Sequence, residues 1–130
     1  MPQRGRLLDL PLAARLAPVR AEDVVERQIA AFNARDLEAF IATYASDATV
    51  TGVAGAVEGL RGHEALRRHF GARLAQPGIR VMIEERVALG RWIVDRETVT
   101  NEIGSAEAIV VYEVEEGLIR CVNVIYARPR

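Results

Sequence analysis

The stretch RWIVDRETVT, residues 91–100, carries two carboxylates, Asp95 and Glu97, separated by a single residue. In a β-strand such residues share a face and lie about 7 Å apart. At that distance they can address one ligand or, when desolvated, share a proton. One acid can then be neutral while the other is charged, which is enough to take a proton from a substrate and return it, or to activate a water. The competing use of the same pair is an ion-pair network with Arg73 or Arg120, because buried acids are normally paired.

Three further side chains have the chemistry for a site. His69 falls on the apolar side of a helical pattern with Ala65, Leu66, Phe70 and Arg73, and its intrinsic pKa makes it the natural general base or proton shuttle; the alternative is a hydrogen-bonded packing residue. Gln28 is the polar member of the stripe Val25, Ile29, Phe32. A buried amide must satisfy up to four hydrogen bonds, so a pocket contact explains it better than a core position. Tyr44 can join such a network through its hydroxyl or serve as a core ring.

Other chemistries find no support. His63 and His69 are six apart, whereas ligands on one helix face recur at three or four, so no metal site is expected, and His63 reads as an exposed helix-start residue. The single cysteine, Cys121, allows neither an intramolecular disulfide nor a cysteine cage and fits a reducing, cytoplasmic setting. No phosphate loop, nucleophile elbow or dinucleotide fingerprint occurs, so no cofactor is expected. With 17 basic and 18 acidic residues in 130, the chain has no electrostatic footprint for nucleic acid or a membrane surface. No stretch approaches the ~20 apolar residues of a membrane span.

The elements that must position these groups follow from periodicity. Residues 1–20, with three prolines and four arginines, read as an N-terminal extension to a single domain over 21–130. One helix begins near Glu22. A second starts at the N-cap Asp36 and presents Leu37, Phe40, Ile41 and Tyr44 before ending near Ser46 and Asp47. A short strand at 49–51 and a glycine-rich crossing lead to a third helix from about His63. Four β-rich runs then follow, Ile79 to Leu89, Trp92 to Thr100, Ala106 to Val114 and Leu118 to Ala127, separated by short turns. Helices followed by strands give an α+β class, and the short connections favour an antiparallel meander.

VERQIAAFNARDLEAFIATYASDATVTG, GLRGHEALRRHF and IVVYEVEEGLIRCVNVIYA, in this order and spacing, resemble the NTF2-like or SnoaL-like superfamily, which includes ketosteroid isomerases and polyketide cyclases. The resemblance implies a cone, an NTF2-like/cystatin-like α+β barrel: a curved antiparallel sheet wrapped around three helices, with a pocket at the open end and often a dimer across the outer sheet face. It also allows the isomerase chemistry to be checked. The positions matching the oxyanion-hole tyrosine, the base and the second acid hold Gln28, Gly52 and Val110, so that catalytic constellation is missing.

The resemblance further implies that Asp95 and Glu97 face the concave side with Ile93 and Val99, that His69 and Tyr44 stand at the pocket, and that Tyr112, Val122, Val124 and Tyr126 line its sheet wall. Trp92 and Val94, with Ile109 and Val111, would then face outward as a homodimer surface. The expected function is a pocket for a small apolar organic ligand, with cofactor-free acid–base catalysis (isomerase, cyclase or hydrolase) by Asp95, Glu97 and His69. The alternative is a non-catalytic binding or dimeric association domain.

Overall fold

Val24, Val25, Gln28, Ala31 and Phe32 recur at helical spacing, and in the computed structural model, which describes residues 20–127, they form the buried side of α1 (Ala21–Asn33). The expected extension thus lies outside the described residues, Arg20 apart. Asp36 caps α2 (Leu37–Ala42) by accepting a bond from the Ala39 amide at 3.1 Å, which satisfies one of the four amides a helix start leaves open. Arg35, in the left-handed region at φ 57°, sends its guanidinium to the Leu74 and Gln76 carbonyls, both at 3.0 Å. The turn between α1 and α2 thereby holds the C-terminus of α3 (Gly62–Leu74) through charge on its open carbonyls.

The second helix is shorter than its apolar spacing implies. Thr43 turns its hydroxyl back onto the Phe40 carbonyl at 2.7 Å and gives its own carbonyl to the Ile119 amide at 2.8 Å. Tyr44 keeps the burial expected of it, at 2 % exposure, but as the first residue of β1 (Tyr44–Thr51) and not as the last turn of a helix. Helical spacing and strand pairing compete for this residue, and pairing with the last strand wins.

The remaining strands are β2 (Leu60–Arg61), β3 (Arg80–Leu89), β4 (Trp92–Thr100), β5 (Ser105–Glu115) and β6 (Leu118–Tyr126). They form one curved sheet in the order β2-β1-β6-β5-β4-β3, which does not close into a barrel. The meander β3 to β6 is antiparallel as expected, while β1 joins β6 in parallel. Register shifts in β3, in β1 and between β5 and β6 supply the local bends that wrap a sheet around helices. The open edge at β3 is covered by Asn33, whose side-chain amide accepts from the Val81 N–H at 2.8 Å and donates to the Val81 carbonyl at 2.9 Å, taking the place of a neighbouring strand.

The core lies between the helices and the concave sheet face. Phe40 has no exposed surface and sits among Phe32, Tyr44 and Phe70, with ring centroids 6.0, 5.1 and 4.7 Å away in tilted geometry. Truncating such a ring typically costs about 3–5 kcal/mol, and here it would also free the three rings, Phe32, Tyr44 and Phe70, that border the cavity described next.

Candidate functional site

Strand β4 alternates as period two demands: Ile93, Asp95 and Glu97 are buried, while Trp92 is exposed on the other face. The two acids therefore share the concave side, but their surroundings diverge. The two-residue turn Gly90-Arg91 sets Arg86 of β3 directly opposite Asp95. Its guanidinium makes a two-pronged bond to that carboxylate, Nε to Oδ1 at 2.7 Å and Nη2 to Oδ2 at 2.9 Å, and also reaches Glu26 of α1 at 3.1 Å. Asp95 has no exposed surface, and a carboxylate so placed is tolerable only because it is paired.

Glu97 meets no such partner. The register of β3 shifts between Ile83 and Glu85, so Ile83 and not Glu84 stands across from it, and Ala108 stands on the β5 side. Its one hydrogen bond among the described residues comes from the Tyr112 hydroxyl, which donates to Oε2 at 2.7 Å. Burial pushes its pKa up to about 7; the Asp95 charge adds to the rise, and the Tyr112 bond and the Arg86 charge oppose it without cancelling it. The same burial, together with the Glu97 charge, holds the Tyr112 and Tyr44 hydroxyls well above the usual phenol range, so both stay protonated.

Glu97 borders a cavity between α1, α3 and the concave sheet. Gln28, Tyr44, Tyr112, Val122, Val124 and Tyr126 line it, as the sequence leads one to expect, together with Ile29, Phe70, Val99 and Val110. Its free space is about 60 Å³, room for several waters and well below the ~300–1,000 Å³ of sites for drug-sized ligands. On its α1 side the Gln28 amide donates from Nε2 to the Tyr44 hydroxyl at 3.0 Å, while Oε1 is buried without a partner. Apart from these groups, the Tyr126 ring and Arg73, the walls are apolar, so the polar groups are few.

Two expected site residues stand apart. Asp95 is next to the cavity but outside its lining, its two oxygens taken by Arg86. His69 does not line the cavity either. It is half-buried on α3, edge-on to Phe70 with centroids 5.0 Å apart, and burial and the Arg73 charge lower its pKa. His63, expected to be exposed, instead bonds the Tyr44 carbonyl through Nε2 at 2.7 Å and ties the start of α3 to β1. Neither cation weighed for the acid pair reaches it: Arg120 pairs with Asp47 and Glu115, and Arg73 lines the cavity without an acid in ion-pair range among the described residues. Arg86 is the residue sequence reasoning missed. The two-residue turn at Gly90-Arg91 was the available signal, since counting outward from it places Arg86 against Asp95.

The positions at which the family resemblance would set the isomerase groups can also be located. Gln28 and Val110 line the cavity. Gly52 has φ 85°, and any Cβ there would collide with the Val124 carbonyl oxygen, so this backbone has no place for a carboxylate. Among the described residues no group of three or more His, Cys, Asp or Glu side chains could hold a metal ion, and no helix is long and apolar enough to cross a membrane.

Comparison with known proteins follows the same lines. The family model for the SnoaL-like domain matches residues 25–122. Among curated proteins, none matches. Similar solved structures include a protein of unknown function with a cystatin-like fold from Methylobium petroleophilum (22% identity, 88% of this chain and 80% of that one, TM-score 0.76). A candidate ketosteroid isomerase from Kribbella flavida is 19% identical over 85% of this chain and 79% of its own, with a TM-score of 0.73. A computationally designed 17-OHP binder is 19% identical over 85% and 93%, also with a TM-score of 0.73. At these identities the likeness is one of fold.

Proposed function

This chain belongs to the SnoaL-like domain family, and on that premise we propose that it binds a small organic molecule in the cavity and performs acid–base chemistry on it with Glu97, without a cofactor. The observation that carries this reading is the Glu97 carboxyl itself: it lines a largely apolar cavity and accepts a bond from Tyr112, and its burial pushes its pKa up to about 7. A group with that pKa can both accept and return a proton at neutral pH. Tyr44, Tyr112 and Gln28 would orient the ligand, and Val122, Val124 and Tyr126 would hold its apolar part. Asp95 would act on the chemistry through its neighbour, by disfavouring a second negative charge. With Gly52 and Val110 at the matching positions, ketosteroid isomerisation is not the reaction expected.

Transfer of deuterium from D2O into a small ketone such as cyclopentanone, followed by NMR, tests the proton-transfer role without a known substrate. Exchange is expected to fall at least tenfold in Glu97→Gln. Equal exchange in both proteins would remove Glu97 from the role and leave the second reading, binding without turnover, which the missing isomerase groups favour.

The outer sheet face exposes Trp92, Ile109 and Ile125 at 41 %, 37 % and 53 %, and a homodimer through this face is part of the proposal, as is a reducing, cytoplasmic setting. Light scattering of Trp92→Glu should show a shift toward monomer, because the change places an unpaired charge in the interface. An unchanged mass at micromolar concentration would argue against this face.

A further inference from the structure

Two features of the cavity remain unused by the acid–base reading. The first is the half-buried Arg73 of α3. It is the one arginine in the cavity lining, and among the described residues no carboxylate stands within ion-pair distance of it. Arg86, by contrast, is already occupied by Asp95 and Glu26. Arg73 also borders an adjoining surface hollow with Thr100, Asn101 and Ile103, so it stands where the cavity opens outward. A guanidinium there presents several donors in a planar fork suited to a carboxylate.

The second feature is the Gln28 amide, a lining residue of the cavity that is 6 % exposed, with one end bonded to Tyr44 and Oε1 buried without a partner. A buried polar atom left without a partner costs about 1–3 kcal/mol, and a ligand that supplies the partner recovers it. Whichever way round the amide is set, one end holds the Tyr44 oxygen and the other is left without a partner. The complement that serves both settings is a hydroxyl, because it donates and accepts.

We propose that the ligand class is a short hydroxy acid, with its carboxylate on Arg73 at the mouth and its hydroxyl on the Gln28 amide inside. The free space of about 60 Å³ favours a chain of few carbons, with the charged end in the mouth and the apolar methylenes against Val99 and Val124. A carboxylate at Arg73 is compatible with Glu97, whose raised pKa leaves it partly neutral at pH 7. This inference rests on the reading of the cavity as a ligand site and adds the class of ligand.

The test is calorimetric or ligand-observed NMR titration with 6-hydroxyhexanoate, 4-hydroxybutanoate, hexanoate and 1,6-hexanediol. The expected order is hydroxy acid tighter than hexanoate and hexanoate tighter than diol. Arg73→Gln should weaken both acids about tenfold or more and leave the diol unchanged, and Gln28→Leu should remove the advantage of the hydroxy acid over hexanoate. Arg68→Gln, an exposed change on the same helix, controls for net charge, and far-UV circular dichroism checks that each variant is folded. A diol that binds as well as the acids, acids that do not bind, an Arg73→Gln without effect, or an Arg68→Gln that weakens them equally would overturn the proposal. Deuterium exchange into the ketone that persists in any of these cases would leave the acid–base reading standing; its loss in Glu97→Gln is independent of all four ligands.

Discussion

Asp95 and Glu97 share a strand, a face and a backbone environment, yet they end with opposite kinds of partner. Asp95 has a cation directly across the sheet and is held by two short bonds to Arg86. Two residues on, Glu97 has Ile83 and Ala108 across from it and a phenol for a partner. The difference is one residue of register in β3. Continued unbroken from the Gly90-Arg91 turn, the pairing would set Glu84 against Glu97; the shift after Glu85 replaces that acid with an apolar side chain. A bulge of this kind thus converts a potential clash of carboxylates into a dry wall, and the same strand offers a structural bridge at one point and a titratable group at the next.

The largest effect should come from breaking the closed half. Arg86→Met leaves Asp95 buried without its cation, and removing one partner of a buried pair typically costs about 3–5 kcal/mol. Urea unfolding measures it; a loss below about 1 kcal/mol would mean that Asp95 does not depend on its cation and that the contrast is shallow.

The open half should show itself in pH dependence. Glu97 is raised from 4.5 to about 7, so between these values the folded state holds a proton that the unfolded chain has released. Its contribution to stability is complete below about 4.5 and is lost as pH rises through about 7. By linkage the loss approaches about 3 kcal/mol. The difference between wild type and Glu97→Gln, followed by denaturant unfolding from pH 4 to 8, isolates this group from the other titrations. A difference that does not vary with pH would show that Glu97 is as well compensated as Asp95.

A smaller change sharpens the same point. Tyr112→Phe removes the hydroxyl that stabilises the Glu97 carboxylate, so the Glu97 midpoint, read by carboxyl NMR, should move above the wild-type value, with about 1 kcal/mol of stability lost. A midpoint that falls would identify Tyr112 as a destabilising neighbour and reverse the account of Glu97.

Much of this was legible in the residues. Strand parity puts Asp95 and Glu97 on one face with Ile93, and α1 periodicity brings Gln28 inward. The motifs NARD, YASDATV and YEVEEGLI carry the family resemblance and, with it, the order of elements. Tyr44 was located correctly as buried but on the wrong element, because Leu37, Phe40, Ile41 and Tyr44 satisfy a helical period until Thr43 turns away to meet β6. His69 shares the inward period of α3 but rests against Phe70 outside the cavity, since a helix face wider than the cavity carries residues that pack beside it.

What the sequence by itself determined is therefore local: the class of each element apart from the α2–β1 boundary and the two-residue strand β2 within the glycine-rich crossing, the facing of side chains within each, and even the Arg86–Asp95 register for as long as the hairpin runs unbroken from its turn. Only the tertiary structure decided where that register slips, which helix covers which stretch of sheet, and so which of the two buried acids meets a cation and which does not. The physical reason is range. Periodicity is fixed by backbone geometry within a few residues, whereas the protonation of a buried carboxyl depends on every charge and apolar surface within several ångströms, contributed here by strands and helices far apart in the chain.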